Sequence, residues 1–144
     1  MKLIDRLSNT PAEKVSWEIR IQVLTEPLKV PYAGKKGNYV EDAKALAKFL
    51  LGIDIEVEDG CNLFWGNGSV RTYDEGGFTL PAGSSLTFYS TEGKVKVADW
   101  SPLAEKMKGH YDFLTSSEKV ECYDRTLHCG DASVDVEAIF KFYA

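Results

Sequence analysis

A chain of 144 residues and 16.0 kDa is sized for one domain and buries roughly two-thirds of the surface its unfolded form exposes. Its 44% apolar and 12% aromatic content excludes a disordered polymer, which is poor in both. With 17 Lys and Arg against 22 Asp and Glu, the net charge of −5 is spread among interspersed signs; this excludes a duplex-wrapping protein, which needs a net basic face to release counterions, so nucleic acid is not indicated as a partner.

The first residues, MKLIDRLSNTPAEK, carry charges at Lys2, Asp5 and Arg6 and no long apolar run, so no signal peptide is expected. No stretch reaches the roughly 20 apolar residues of a membrane helix. Three Cys, an odd number, with no export signal lead to the expectation of a cytoplasmic protein with free thiols.

VSWEIRIQV alternates, with Val15, Trp17, Ile19, Ile21 and Val23 on one face and Ser16, Glu18, Arg20 and Gln22 on the other. That period predicts a half-buried strand. Pro27 and Pro31 bracket an extended connection, and the residues from Ala33 to Gly37 read as a basic loop. Asn38 and Glu41 have capping-box spacing and open a helix from about Tyr39 to Leu51. Val40, Ala43, Ala47 and Leu50 lie along its apolar face, Leu46 and Phe49 widen it, and Gly52 occupies the C-cap position.

From Ile53 to Trp100 short runs alternate with glycine-containing breaks, the spacing of antiparallel hairpins. Strands are predicted at Ile53 to Glu58, Asn62 to Gly66, Ser69 to Tyr73, Phe78 to Leu80, Ser85 to Ser90 and Lys94 to Asp99. Asn67-Gly68 is the best-specified turn, because both positions tolerate φ > 0. Ser101 as N-cap and Pro102 at the first helical position predict a second helix. Lys119 to Asp124 reads as a strand. In the last run Val134, Val136, Ala138, Phe140 and Phe142 oppose Asp135, Glu137 and Lys141, which predicts a terminal strand. The order of elements gives one α+β domain, a mostly antiparallel twisted sheet of about seven to nine short strands with two helices packed on one side.

Three constellations carry chemistry. Rare residues crowd near the end of the chain, where Cys122, His128 and Cys129 join His110 as the available zinc ligands or as a nucleophile and its base. If Arg125-Thr126 is a two-residue loop, Cys122 faces Cys129 and His128 points to the other side. The set lacks the paired C-x2-C or H-x3-H spacing of structural zinc. Asp124 and Asp131 oppose the lowered thiol pKa that a nucleophile needs. Cysteines packed in a hairpin are therefore expected, with no metal and no cofactor. A metalloprotein or cysteine enzyme using His110, Cys122, His128 and Cys129 is the alternative.

Asp54, Glu56 and Glu58 share the polar face of one strand, where they suit a basic partner or a solvated face that discourages edge association. Phe64, Trp65, Arg71 and Tyr73 surround the Asn67-Gly68 turn, an aromatic and arginine composition found at protein-binding hot spots as well as in ordinary cores. Phosphate-binding glycine loops, the G-x-S-x-G elbow and H-E-x-x-H are missing from the sequence. The functional expectation is a small, acidic, non-catalytic module that covers a surface of a protein partner through Asp54, Glu56, Glu58, Phe64, Trp65, Arg71 and Tyr73. A small-molecule binder is a further alternative, and the oligomeric state is open.

Overall fold

Two strands from opposite ends of the sequence, β1 (Val15–Val23) and β10 (Ala132–Phe142), pair antiparallel from Val15 opposite Phe142 to Val23 opposite Val134. The computed structural model describes residues 7, 9–11, 14–31, 39–57, 72–74, 77–90, 95–106, 111–112 and 120–142. On β1 the residues Trp17, Ile19, Ile21 and Val23 are buried while Arg20 and Gln22 are exposed. Successive strand side chains point to opposite faces, so the alternation in the sequence becomes an inside and an outside. β10 obeys the same rule, burying Val134, Val136, Ala138, Phe140 and Phe142.

β6 (Ser85–Tyr89) flanks β1, while β9 (Val120–Cys129) and β8 (Tyr111–Asp112) lie beyond β10, giving a five-stranded antiparallel sheet in the order β6-β1-β10-β9-β8. Across it, Phe88, Ile19 and Ala138 form one row, and Leu86, Ile21 and Val136 the next. These rows are the inner face on which the rest of the chain packs. A second antiparallel sheet joins β2 (Leu28–Pro31), β5 (Gly77–Leu80) and β4 (Thr72–Asp74), and a two-stranded ribbon joins β3 (Ile55–Val57) to β7 (Val95–Val97). The segment between Pro27 and Pro31, expected as a connection, is therefore a strand: Pro31 lies at its end, where a missing N–H disturbs least.

Helix α1 (Tyr39–Leu46) continues as a π-helical turn over Ala47–Leu51 and ends at Gly52, whose φ of 75° is left-handed and whose N–H donates to the Lys48 carbonyl at 3.1 Å. The predicted limits and C-cap are those observed. The wider π turn closes i to i+5; Leu50 and Leu51 are buried there, whereas Phe49, expected on the apolar face, is 38% exposed. Helix α2 (Ser101–Lys106) buries Leu103 and packs so closely on the end of the first helix that a Cβ on Gly52 would lie 3.0 Å from the Pro102 Cβ. Residues from the sheets and both helices form one buried cluster. This is the α+β architecture expected from the sequence, antiparallel sheets together with helices, α1 and α2 among the described residues.

One register departs from expectation. Arg125-Thr126 is not a turn: β9 runs straight through it, with Arg125 opposite Val136 and Thr126 opposite Asp135. The hairpin turns instead at Gly130-Asp131, between Cys129 and Ala132, where Gly130 takes φ 62°. Glycine enters that left-handed region without a Cβ clash, which the Arg-Thr pair cannot do. The predicted strand at Asn62 to Gly66, the Asn67-Gly68 turn and most of Ser69 to Tyr73 lie outside the described residues. Among the described residues no helix is long and apolar enough to cross a membrane.

Two glycines separate steric from conformational cost. A Cβ at Gly77 would sit 2.3 Å from the Val30 carbonyl oxygen, whereas one at Gly130 would meet nothing within 4 Å. Gly77→Ala is expected to cost about 3 kcal/mol by forcing two paired strands apart. Gly130→Ala should cost about 1 kcal/mol, from the positive φ alone. Thermal unfolding of the two variants checks the order; equal losses would contradict the close β2–β5 approach.

Candidate functional site

Trp17 is held inward by a reciprocal pair of bonds: its N–H donates to the Ser90 hydroxyl and the Ser90 N–H donates to its carbonyl, both at 3.0 Å. In the β1–β10 register Trp17 lies opposite Phe140. Trp100, in the link from β7 to α2, packs on both, with ring centroids 5.4 Å from Trp17 and 4.9 Å from Phe140 and planes at 81° and 85°. Such edge-to-face contacts set the ring's negative face against a positive edge. Trp100 stays half-buried, because its other side borders a cleft of about 410 Å³ whose lining includes Val15, Trp17, Glu56, Lys96 and Asp99.

Asp99 has a structural task at the cleft wall. Its Oδ1 accepts the Ser101 N–H at 3.0 Å, satisfying a donor at the start of α2. The sequence pattern points to Ser101 as the cap; in the structure Asp99 also serves this end. Hydrogen bonds from Ser101, the backbone one foremost, hold the Asp99 carboxyl below the usual carboxylate range. A depressed folded value means that this contribution to stability is present above the unfolded pKa and lost as pH falls through the folded one.

Two of the three expected acidic residues are described. Asp54 precedes β3, is exposed, and pairs with the Lys48 ammonium at 3.3 Å, an exposed contact of little net stability. Glu56 is exposed on β3 opposite Lys96 of β7 and reaches the cleft. Glu58, Phe64, Trp65 and Arg71 lie outside the described residues. Tyr73 turns inward on β4: its hydroxyl donates to Asp42 Oδ2, and its ring centroid lies 6.2 Å from that of Phe78.

Asp42 is a buried polar residue outside the three sequence constellations. It is fully buried in the first turn of α1, where a carboxyl group is tolerated only with hydrogen-bond partners. The signal was present, since Asp42 lies four residues before Leu46, on the helix side that faces the core. In the sequence Trp100 marks only the end of the hairpin-rich region, with no role assigned to it.

The cysteine and histidine cluster comes apart in the straightened β9. Cys122 and His128 stand six residues apart on it and Cys122 and Cys129 seven, about 20 Å or more along a strand, so the set His110, Cys122, His128 and Cys129 cannot gather at one ion. His110 lies outside the described residues. His128 is exposed and its Nδ1 shares a hydrogen bond with the Ser133 hydroxyl at 3.1 Å. Cys129 is a free, half-buried thiol beside the core, and its burial pushes the thiol pKa up, against a smaller opposing effect of Lys106. Among the described residues no group of three or more His, Cys, Asp or Glu is placed to hold a metal ion.

The outer face of the five-stranded sheet carries charged and polar pairs. Arg20 bridges Glu18 at 2.9 Å and Glu137 at 3.2 Å, and the Thr126 hydroxyl donates to Asp135 at 2.6 Å. The Arg20–Glu137 and Thr126–Asp135 contacts run across neighbouring strands, whereas Glu18 and Arg20 are two residues apart on β1. No family model, curated protein or solved structure matches this chain.

Removing the phenol hydroxyl with Tyr73→Phe is expected to cost about 1.5 kcal/mol, the order of a hydrogen bond to a carboxyl group in a buried place. A double-mutant cycle with Asp42→Ala checks it through the coupling between the two changes, and a coupling near zero would exclude the contact. In a variant with Cys61 and Cys122 replaced by Ser, Cys129 should react with a maleimide more slowly than glutathione at equal pH, because less thiolate is present. The raised folded pKa makes this group's contribution to stability full below its unfolded value and lost as pH rises through the folded one. Faster labelling than glutathione would contradict that environment.

Proposed function

We propose that this chain is a small, non-catalytic binding module of the cytoplasm that covers a surface of a protein partner. Its contact face comprises β3, β7 and the cleft beside them. The observation that carries this reading is the cleft, where a half-buried tryptophan, Trp100, lies beside the exposed side chains of Glu56, Lys96 and Asp99. Tryptophan next to charge is a composition typical of binding hot spots, where an apolar anchor is buried and a polar rim sets orientation. A volume of about 410 Å³ suits a side chain or short segment inserted from a partner.

Asp54 extends the acidic side of this face. Glu58, Phe64, Trp65 and Arg71 follow β3 in the sequence and belong to the proposed contact set, whereas the Tyr73 hydroxyl serves the interior through Asp42. Charges on such a rim act chiefly on association rate and partner choice.

The test is capture of partners by the purified chain from extract of its own source at about 0.15 M ionic strength, followed by mass spectrometry, with Glu56→Lys as the matched bait. A retained protein reduced about tenfold by charge reversal supports the reading. Proteins retained equally by both baits, or none retained by the unaltered chain, would overturn it.

A further inference from the structure

We infer that the cleft takes a cation on an aliphatic stem, a lysine or arginine side chain of the partner, with its charge near Glu56 and Asp99 and its stem against Val15, Trp17 and Trp100. This deepens the binding reading above and rests on it. Charge is the first argument. Among the described residues the lining holds two carboxylates, Glu56 and Asp99, against one ammonium, Lys96, a balance that favours an incoming cation over an anion.

Glu56 is also uncommitted. Asp54 is paired with Lys48, and Asp99 accepts from Ser101. Glu56 makes no hydrogen bond or ion pair among the described residues, although Lys96 stands opposite it in the ladder. Asp99 is exposed at the cleft wall, where the hydrogen bonds from Ser101 favour its charged form. The third argument is shape. Lysine and arginine carry apolar stems that prefer an apolar wall while the head group stays near water and counter-charge. Trp17 and Trp100 supply that wall, and a tryptophan face also attracts a cation through its quadrupole.

Lys96 is a built-in competitor on this account. Removing it should strengthen binding of a cation, a direction that a merely structural lysine would not produce.

The experiment titrates the full chain with capped Gly-Lys-Gly and Gly-Arg-Gly peptides and follows the Trp100 indole N–H by NMR. A capped peptide with norleucine in place of lysine keeps the stem and removes the charge. The basic peptides should give a saturable shift and the norleucine peptide should not. Glu56→Gln and Asp99→Asn, the latter preserving a capping side chain, should each weaken binding about fivefold, and Lys96→Gln should strengthen it about threefold. Free n-butylamine separates sources: binding much weaker than the peptide assigns a partner side chain, and equal binding overturns the peptide assignment in favour of a free amine.

Equal shifts with the lysine and norleucine peptides would overturn cation recognition while leaving the binding module standing. Weaker binding in Lys96→Gln, or no shift with either basic peptide, would overturn it as well, and the capture experiment decides the module separately.

Discussion

The pairing of β1 with β10 is the constraint on which the rest of the structure depends. It joins the two ends of the described chain, so that Arg20 reaches Glu137 across 117 residues. Such a contact forms only after a large loop-closure entropy has been met, and it is repaid by many side chains at once. The repayment is visible in the ladder: Trp17 with Phe140, Ile19 with Ala138, Ile21 with Val136 and Val23 with Val134 are all buried pairs. β6 and β9 then add to a platform that already has an inner face.

The cleft is a product of that platform. Trp17 and Phe140 are neighbours only because their strands are in register, and Trp100 forms T-shaped contacts with both. The contact fastens the end of β7 and the start of α2 to the large sheet. A six-residue helix cannot stand by its own propensity; Asp99 satisfies its start, Leu103 is buried beneath it, and Pro102 lies against Gly52. The cleft wall is therefore packed where it is aromatic, while the charged side chains of Glu56, Lys96 and Asp99 are exposed and screened by salt.

Several elements were legible in the sequence for identifiable reasons. Strands β1 and β10 announce themselves because one face is apolar throughout, and α1 because a cap, an apolar face and Gly52 agree. The β9–β10 turn lies five residues beyond the position that the sequence pattern suggests. Arg125-Thr126 sits in a polar stretch that resembles a loop, yet the strand continues because its partner β10 is long, and Gly130-Asp131 supplies the positive φ that the turn requires. That shift alone dissolved the apparent cysteine and histidine site, since spacing along a strand converts directly into distance. Of the candidate binding residues, Asp54 and Glu56 lie on the exposed side as expected, but Tyr73 serves Asp42 and the aromatics described at the cleft are Trp17 and Trp100.

The sequence by itself determined the class of structure, the inner and outer faces of its longest strands, the limits of the first helix and the acidic exposure around β3. These follow from local periodicity and capping, which act over a few residues. Only the tertiary structure decided the strand order, the turn at Gly130, the burial of Asp42 and the meeting of Trp17, Trp100 and Phe140. Those depend on which distant segments share a register, and register is set by packing many side chains at once rather than by any short run of residues.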